Sequence, residues 1–413
     1  MSSAGFDGFY SSTSLKECEE DFSFEIDQIL AGGDLGGGSE FEEEIPCKNL
    51  YKDTHFPKAV VESIERFKEV SFDQLTKNLE ISVVKAGHKK NGQDKQYVLL
   101  RKSEAGASSD FYIGFSPKGK QRAVLLKSSD AQGSQRDQEM MAINQKRFKE
   151  YLDSSPKEEG IQHISRILYV DPNVKITELC GIDLKKFMEE NRDLSEEDLI
   201  NIIEQILKGL FFIHKKGFVH KDLNIKNIVV NRDGEGALIV KIIDWDLVGG
   251  AVEEDHQLQG SIFYLPVNIT NRFLGIFEKE ESSEPEPSIN LASHRYPKEW
   301  TTSAQDIWAL MYLIGQVGIQ LNQHISEGFL ERFKEYKEIV EDSIRNKKDV
   351  IDSYQKKREY LANKLNLFSG LQPKTFVDHL LYKMAEVDCQ ARPSAEDLLS
   401  FIREDLNPNL YCS

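Results

Sequence analysis

The sequence is short of cysteine. Its five residues (Cys18, Cys47, Cys180, Cys389 and Cys412) are scattered over 413 positions, odd in number and without a CxxC pair. That spacing excludes a cysteine-rich zinc site, argues against a disulfide framework and suits a reducing compartment. Positive charge is scarce as well: 52 Lys and Arg against 69 Asp and Glu leave a formal net charge of -17. General binding to nucleic acid or to an anionic membrane needs a positive footprint, so neither class fits, and only a local basic pocket stays open. Long apolar runs are missing too. The longest, around ALMYLIGQVGIQL, is too short and too interrupted to span a bilayer, so no membrane insertion is expected. The opening MSSAGFDGFYSS has neither a basic n-region nor an apolar h-region, and Ser2 stands where myristoylation requires Gly. A soluble, cytoplasmic protein is the expectation, whether native to its cell or a bacterial effector delivered into a host cytosol.

What is present is enough apolar material for a core. Hydrophobic residues make up 39% of the chain and aromatics 10%, sufficient for two or three packed units. Residues 1–50 stand apart, because ECEEDFSFEIDQILAGGDLGGGSEFEEEIP joins dense acidity to a glycine-rich run, the composition of a solvated tail. It reads either as a leader without a specific role or, through Phe22, Phe24, Ile26 and Leu30, as a docking or autoinhibitory segment. Residues 51–94 form an N-terminal extension with helical spacing over 55–78. The runs EISVVKAG, QYVLLRK, FYIGFSP and RAVLLK alternate or are β-rich and are parted by turns such as SPKGKQ, which predicts an antiparallel meander. A polar helix is expected from Ser134 to Leu152, with Met140, Ile143 and Phe148 turned inward, and then strands in HISRILYV and VKITEL.

Beyond Gly181 the pattern becomes helical. SEEDLINIIEQILKGLFFIHKKG opens with Ser195 three residues before Asp198, an N-cap signature, and Ile203, Ile206, Leu207 and Leu210 then recur at helical spacing. Further helices are expected in AQDIWALMYLIGQVG, in the charged run near 325–365 and in TFVDHLLYKMAEV. Within the charged run Phe329, Phe333, Tyr336, Val340 and Ile344 form a stripe that serves either core packing or a partner. There is no internal repeat.

One stretch concentrates chemistry. In FVHKDLNIKNIVVNRDGEGALIVKIIDWDL, residues 218–247, a β-hairpin is flanked by Asp222 and Asn227 on one side and Asp244 on the other. That spacing brings two carboxylates and a carboxamide towards one point. Here the sequence resembles the eukaryotic-type protein kinase family over roughly residues 95–405. HKDLNIKN resembles the catalytic loop HRDLxxxxN, and KIIDWDL the strand ending in DFG. AVLLK resembles the VAIK strand, GSIFYLP part of the activation segment, QDIWAL the helix with a buried aspartate, and CQARPSAEDLL the closing Arg-Pro-Ser signature. The six motifs stand in the family's order.

The resemblance implies an α+β, bilobal protein-kinase-like fold with a β-rich N-lobe at 95–178 and a helical C-lobe at 182–405. It implies transfer of a γ-phosphate from ATP, with Mg²⁺, to hydroxyls of a protein substrate. Such a transfer has a loose, charge-spread transition state, so the protein mainly positions groups and neutralises charge. Magnesium takes hard oxygen ligands, which Asn227 and Asp244 would supply. Asp222 would orient the attacking hydroxyl, Lys127 would hold the phosphates, and Glu139 on the polar helix would pair with Lys127. Gly106 belongs to the phosphate loop, Thr177 looks like the gatekeeper, and Glu178 to Cys180 would contact adenine through backbone groups. Asp183 sits where the family often places a ribose-binding carboxylate, and it also suits the N-cap of LKKFMEE. His220 and Asp306 would be structural, the first anchoring the catalytic loop and the second tying its backbone to the C-lobe; Arg392 would make a buried ion pair.

The chain departs from the family pattern at several points. SEAGASSDF keeps Gly106 but lacks the second and third loop glycines, and Leu125 replaces the alanine that roofs adenine. Lys221 stands for the arginine of HRD, keeping charge without the bidentate fork. Asn224 replaces the lysine of Ser/Thr members, whereas Lys226 lies where tyrosine-specific members carry a basic residue that reaches the γ-phosphate. Ser261 resembles the Ser/Thr type, which is the specificity expected. Asp246 replaces the DFG glycine, and no Glu follows Pro266 in the APE position. The rival reading is a pseudokinase that holds nucleotide as a scaffold. Two stretches are candidates for partner docking, the acidic tail and the 325–365 insertion.

Overall fold

A computed structural model describes residues 82–88, 94–103, 109–116, 120–127, 135–171, 174–250, 264, 303–345, 356–357, 359–361 and 364–405. The acidic tail, the helix expected over 55–78, the loop containing Gly106, and Ser261 lie outside these residues. The chain forms two compact units. One comprises Met1–Lys149 and Arg166–Leu179, the other Glu150–Ser165 and Cys180–Ser413.

The first unit is built on a sheet. Strands β1 (Ser82–His88), β2 (Asp94–Ser103), β3 (Ser109–Phe115), β4 (Gln121–Lys127), β5 (Ile167–Val170) and β6 (Val174–Glu178) pair antiparallel in the order β1-β2-β3-β4-β6-β5. The first four are the expected meander. Alternation puts Tyr97, Leu99, Val124 and Ile176 on one buried face, with Tyr112, Leu168, Tyr169 and Val174 packed at its margin. Helix α1 (Gln135–Ser154) begins in this unit. Its inward side differs from the one expected: Phe148 is fully buried, but Ile143 is 44% exposed and the buried neighbours are Asn144 and Gln145. With few apolar residues to set the phase, two amides displaced an isoleucine from the core. Of the three residues on which the choice of Glu139 rested, Phe148 is buried as expected, Ile143 is not, and the side chain of Met140 lies outside the described residues.

The second unit is helical around a small sheet. Here follow β7 (Ile182–Asp183), α2 (Leu184–Glu190), α3 (Glu196–His214), β8 (Phe218–Val219), β9 (Ile228–Arg232), β10 (Leu238–Ile242), β11 (Gly249–Gly250), α4 (Ser303–Leu321), α5 (Glu327–Arg345), α6 (Phe376–Met384) and α7 (Ala395–Asp405). A β-rich first unit and a helical second one are the α+β arrangement expected. Helix α3 starts as its sequence predicts: the Ser195 hydroxyl accepts from Asp198 N–H at 3.0 Å, and the Asp198 carboxylate accepts from Ser195 N–H at 3.2 Å. Helix α6 repeats the device with Thr375 and Asp378.

Helix α4 is apolar on nearly every side and is accordingly buried, with Ile307, Trp308, Leu310, Met311, Tyr312 and Ile314 inaccessible to solvent. Phe329, Phe333 and Tyr336 of α5 are 1%, 1% and 0% exposed, so this part of the stripe is core and presents nothing to a partner. The Phe333 ring lies against Gly315 of α4, where any Cβ would collide with it. No described helix is long and apolar enough to cross a membrane.

Among the described residues Arg392 is paired with backbone oxygens, where an ion pair was expected. Its guanidinium donates to the carbonyls of Glu386 (2.9 and 2.7 Å), Ala304 (2.7 Å) and Val387 (3.3 Å), and it lies 4.9 Å from the centre of the Trp308 ring. Backbone oxygens and an aromatic face do the work of a carboxylate. Burial lowers its pKa to about 10.

Candidate active site

The site is assembled on the β9–β10 hairpin. Registers Ile228↔Ile242 and Val230↔Val240 define the ladder, and Ile243 N–H donates to Asn227 C=O at 2.9 Å one step beyond it. Asn227 and the residue before Asp244 are thus bonded across the open end of the hairpin. At the closed end the Asp233 carboxylate accepts from Glu235 and Ala237 N–H, both at 2.9 Å, a turn its sequence favours.

The free edge of β10 is capped by side chains. Gln205 of α3 donates to Leu238 C=O at 2.9 Å and accepts from Val240 N–H at 2.8 Å. Ser165 N–H donates to Ile242 C=O at 2.9 Å, and His163 Nδ1 donates to Val240 C=O at 3.1 Å. Burial holds the His163 imidazole below its usual pKa, while its bond to Val240 C=O works in the opposite direction. The hairpin is therefore fixed before any ligand arrives.

The loop carrying Asp222 is held by α4. Asp306, inaccessible to solvent, accepts from His220 N–H (2.8 Å), Lys221 N–H (3.0 Å) and His214 Nε2 (2.9 Å). Burial alone would raise its pKa, but the hydrogen bond and charge of His214 and the bonds from His220 outweigh it, and the carboxyl lies below its ordinary value. Gln305 Nε2 donates to Lys221 C=O at 3.2 Å. These bonds hold Lys221 at φ 71°, a left-handed conformation that non-glycine residues rarely adopt. His220 then bridges both halves of the site: its Nε2 donates to Ile243 C=O at 2.9 Å, and its Nδ1 accepts from Asp222 N–H at 3.2 Å.

Asn227 turns its amide towards Asp222. Its Nδ2 donates to Asp222 C=O at 2.8 Å and to the Asp222 carboxylate at 3.2 Å. The donor half of the amide is committed, so its carbonyl oxygen is the half left to serve a cation. Asp244 follows at φ 61°. A carboxylate and an amide oxygen are the hard donors magnesium takes, so this pair fits that metal. Among the described residues no group of three or more His, Cys, Asp or Glu side chains gathers as a metal cluster.

Comparison with known proteins points to the same family as the sequence motifs. A model of the protein kinase domain matches residues 118–274. The chain is 26% identical over 216 residues to cyclin-dependent kinase 12 of Caenorhabditis elegans, covering 50% of this chain and 26% of that protein. It is 28% identical over 181 residues to a probable serine/threonine-protein kinase of Encephalitozoon cuniculi, covering 43% of this chain and 32% of that one. Residues 118–274 are matched as a protein kinase domain. The chain spans only about a quarter to a third of these relatives' lengths.

Within this kinase domain Asp222, Asn227 and the residue preceding Asp244 are joined by hydrogen bonds, and Lys226 lies exposed in the same loop. Asp183 caps α2, accepting from Lys186 N–H at 2.9 Å, and pairs in register with Val229, two residues beyond Asn227. Lys127 ends β4 opposite Ser109, and Glu178 ends β6 with its N–H donated to Arg166 C=O at 2.9 Å; both belong to the first unit, whereas Cys180 belongs to the second. The side chains of Lys127 and Glu139 lie outside the described residues.

Asn224 has a part that sequence reasoning missed. Its Oδ1 accepts from Lys226 N–H (2.9 Å) and Asn227 N–H (3.2 Å), and its Nδ2 donates to Asp222 C=O (3.1 Å). The residue that replaces the family's lysine thus ties the loop together from within. The signal was available in the residue type, since Asn in a loop favours Asx-turns to the backbone two residues on.

Proposed function

We propose that the chain is a protein kinase that uses ATP and Mg²⁺ to phosphorylate hydroxyls of a protein substrate, serine or threonine rather than tyrosine. The observation that carries the reading is the Asn227 amide donated to both the backbone and the carboxylate of Asp222, on a hairpin whose ladder extends to Ile243. A general nucleophile-orienting acid and a hard-oxygen metal pair are thereby held on one rigid frame.

Asp222 accepts the hydrogen bond of the incoming hydroxyl and directs its lone pair at the phosphorus. Asn227 and Asp244 would hold the metal by oxygen atoms, and a bound magnesium would supply charge neutralisation for the transfer. By the family resemblance Lys127 and Gly106 would serve the phosphates, and Lys226, exposed in the loop after Asp222, would offer a further cation. Backbone groups of Glu178 to Cys180 receive adenine, and Asp183, already a helix cap, offers its second oxygen to ribose. Serine/threonine preference rests on Ser261 and on the names of the related kinases.

The test uses the purified chain with radiolabelled ATP, Mg²⁺ and a general protein substrate, followed by phosphoamino-acid analysis. Asp222→Ala lowers transfer by about 10²–10⁴-fold with an unchanged melting temperature, as expected when a positioned acid-base group is lost. Transfer by Asp222→Ala at the wild-type rate overturns the assignment. Binding of nucleotide by the wild type without any transfer supports the scaffold reading in its place.

A further inference from the structure

The DFG-like segment reads DWD, and its middle residue carries a donor that a phenylalanine would not. Trp245 is 1% exposed, and its indole Nε1–H donates to Ser165 Oγ at 3.0 Å. Ser165 is itself 1% exposed and is fixed by its own N–H on Ile242 C=O at 2.9 Å. The Trp245 ring also meets the His220 imidazole edge-on, with ring centres 4.7 Å apart. Both acids of the proposed site adjoin this contact: Asp244 precedes Trp245 in the chain, and Asp222 donates its N–H to His220 Nδ1.

We propose that Ser165 and Trp245 are positioning residues that lock Asp244 into its metal-binding conformation and keep His220 beneath Asp222. The backbone explains why a lock is needed. Asp244 sits at φ 61°, a sparsely populated region for a residue with a Cβ, and such a conformation persists only where the surroundings enforce it. A buried N–H strongly favours the one arrangement in which it has an acceptor. The indole bond selects that arrangement, and the turn that follows, closed by Val248 N–H on Trp245 C=O at 3.3 Å, carries the constraint onward. Neither residue touches substrate; each acts through Asp244 and His220. The inference rests on the kinase reading for its link to magnesium.

Ser165→Ala removes the acceptor and leaves the donor, whereas Trp245→Phe removes the donor and keeps an aromatic ring against His220. Two readouts are taken on the full chain: amide hydrogen exchange of the 243–248 segment without nucleotide, and the Mg²⁺ concentration giving half-maximal transfer. Ser165→Ala is expected to speed exchange in 243–248 and to raise the Mg²⁺ requirement, each by about tenfold, with α3 and α4 exchanging as before. Trp245→Phe has a smaller effect, and the double variant behaves like Trp245→Phe, because no donor is then stranded. A Ser165→Ala protein with unchanged exchange and Mg²⁺ requirement overturns the proposal, as does a double variant as impaired as Ser165→Ala alone. Should the wild type show no Mg²⁺-dependent transfer, the kinase reading fails and with it the metal half of this inference. The exchange comparison still decides whether the indole bond fixes Asp244.

Discussion

Replacing Asp306 by asparagine removes one charge and changes the shape of the side chain hardly at all. The carboxylate accepts three bonds, from His220 N–H and His214 Nε2 on one oxygen and from Lys221 N–H on the other. An amide has only one acceptor oxygen. Whichever way it is turned, its NH₂ faces at least one backbone N–H, and that donor is stranded in a place closed to solvent. A hydrogen bond to a charged group contributes about 1.5–3 kcal/mol, and a stranded buried donor costs about 1–3 kcal/mol. Together they predict a loss of about 3–5 kcal/mol, the range found when one partner is stripped from a buried charge cluster. Urea unfolding followed by far-UV circular dichroism measures it. Phosphate transfer is expected to fall with stability, because Lys221 loses the bonds that hold its left-handed backbone directly before Asp222. The pH dependence gives a second handle. The folded carboxyl lies below its reference value of 3.8, so its contribution is fully present above pH 3.8 and is lost as pH falls through the folded value. The gap between wild type and Asp306→Asn is therefore constant at higher pH and narrows below 3.8. A variant within about 0.5 kcal/mol of wild type would refute the reasoning, since that is the scatter of ordinary surface substitutions.

Two further outcomes are expected. Arg392→Lys keeps the charge but cannot reach the carbonyls of Glu386, Val387 and Ala304 together or stack on Trp308, so it should destabilise the chain by about 2–3 kcal/mol, read by thermal melting; an unchanged melting temperature would show that the guanidinium fork is dispensable. Asn224→Ala removes two acceptor bonds and one donor bond from the loop between Asp222 and Asn227 and should slow transfer about tenfold at little cost in stability, measured by steady-state kinetics beside a melting curve.

What the sequence made legible is what local patterns encode. Period-two alternation marked β1 to β4, the Ser195–Asp198 pair marked the start of α3, and the spacing of Asp222, Asn227 and Asp244 marked a hairpin with acids at its open end. What stayed hidden depends on partners distant in the chain. Trp245 and Ser165 are 80 residues apart, and Arg392 and Ala304 are 88 apart, so no window of sequence shows that an indole meets a hydroxyl or a guanidinium meets a carbonyl. For Arg392 an ion pair was expected, and the described acceptors are backbone oxygens of Glu386, Val387 and Ala304. Helix α1 failed for a different reason: its buried face includes Asn144 and Gln145, and amides carry no periodic signal.

The same anchors explain how the site tolerates its departures from the family pattern. A glycine in the DFG position is needed only if the backbone there turns left-handed, and in this chain that conformation falls on Asp244 and not on Asp246. Asp246 occupies a turn closed by Val248 N–H on Trp245 C=O, where a side chain carries no such strain. Likewise the lysine replaced by Asn224 gives up a cation and gains three bonds that stiffen the loop. In both places flexibility or charge has been exchanged for fixed geometry, and the gain falls on the loop and turn that carry Asp222 and Asp244. That support falls on the two carboxylates the proposed transfer would use, Asp222 as the orienting group and Asp244 as a metal ligand.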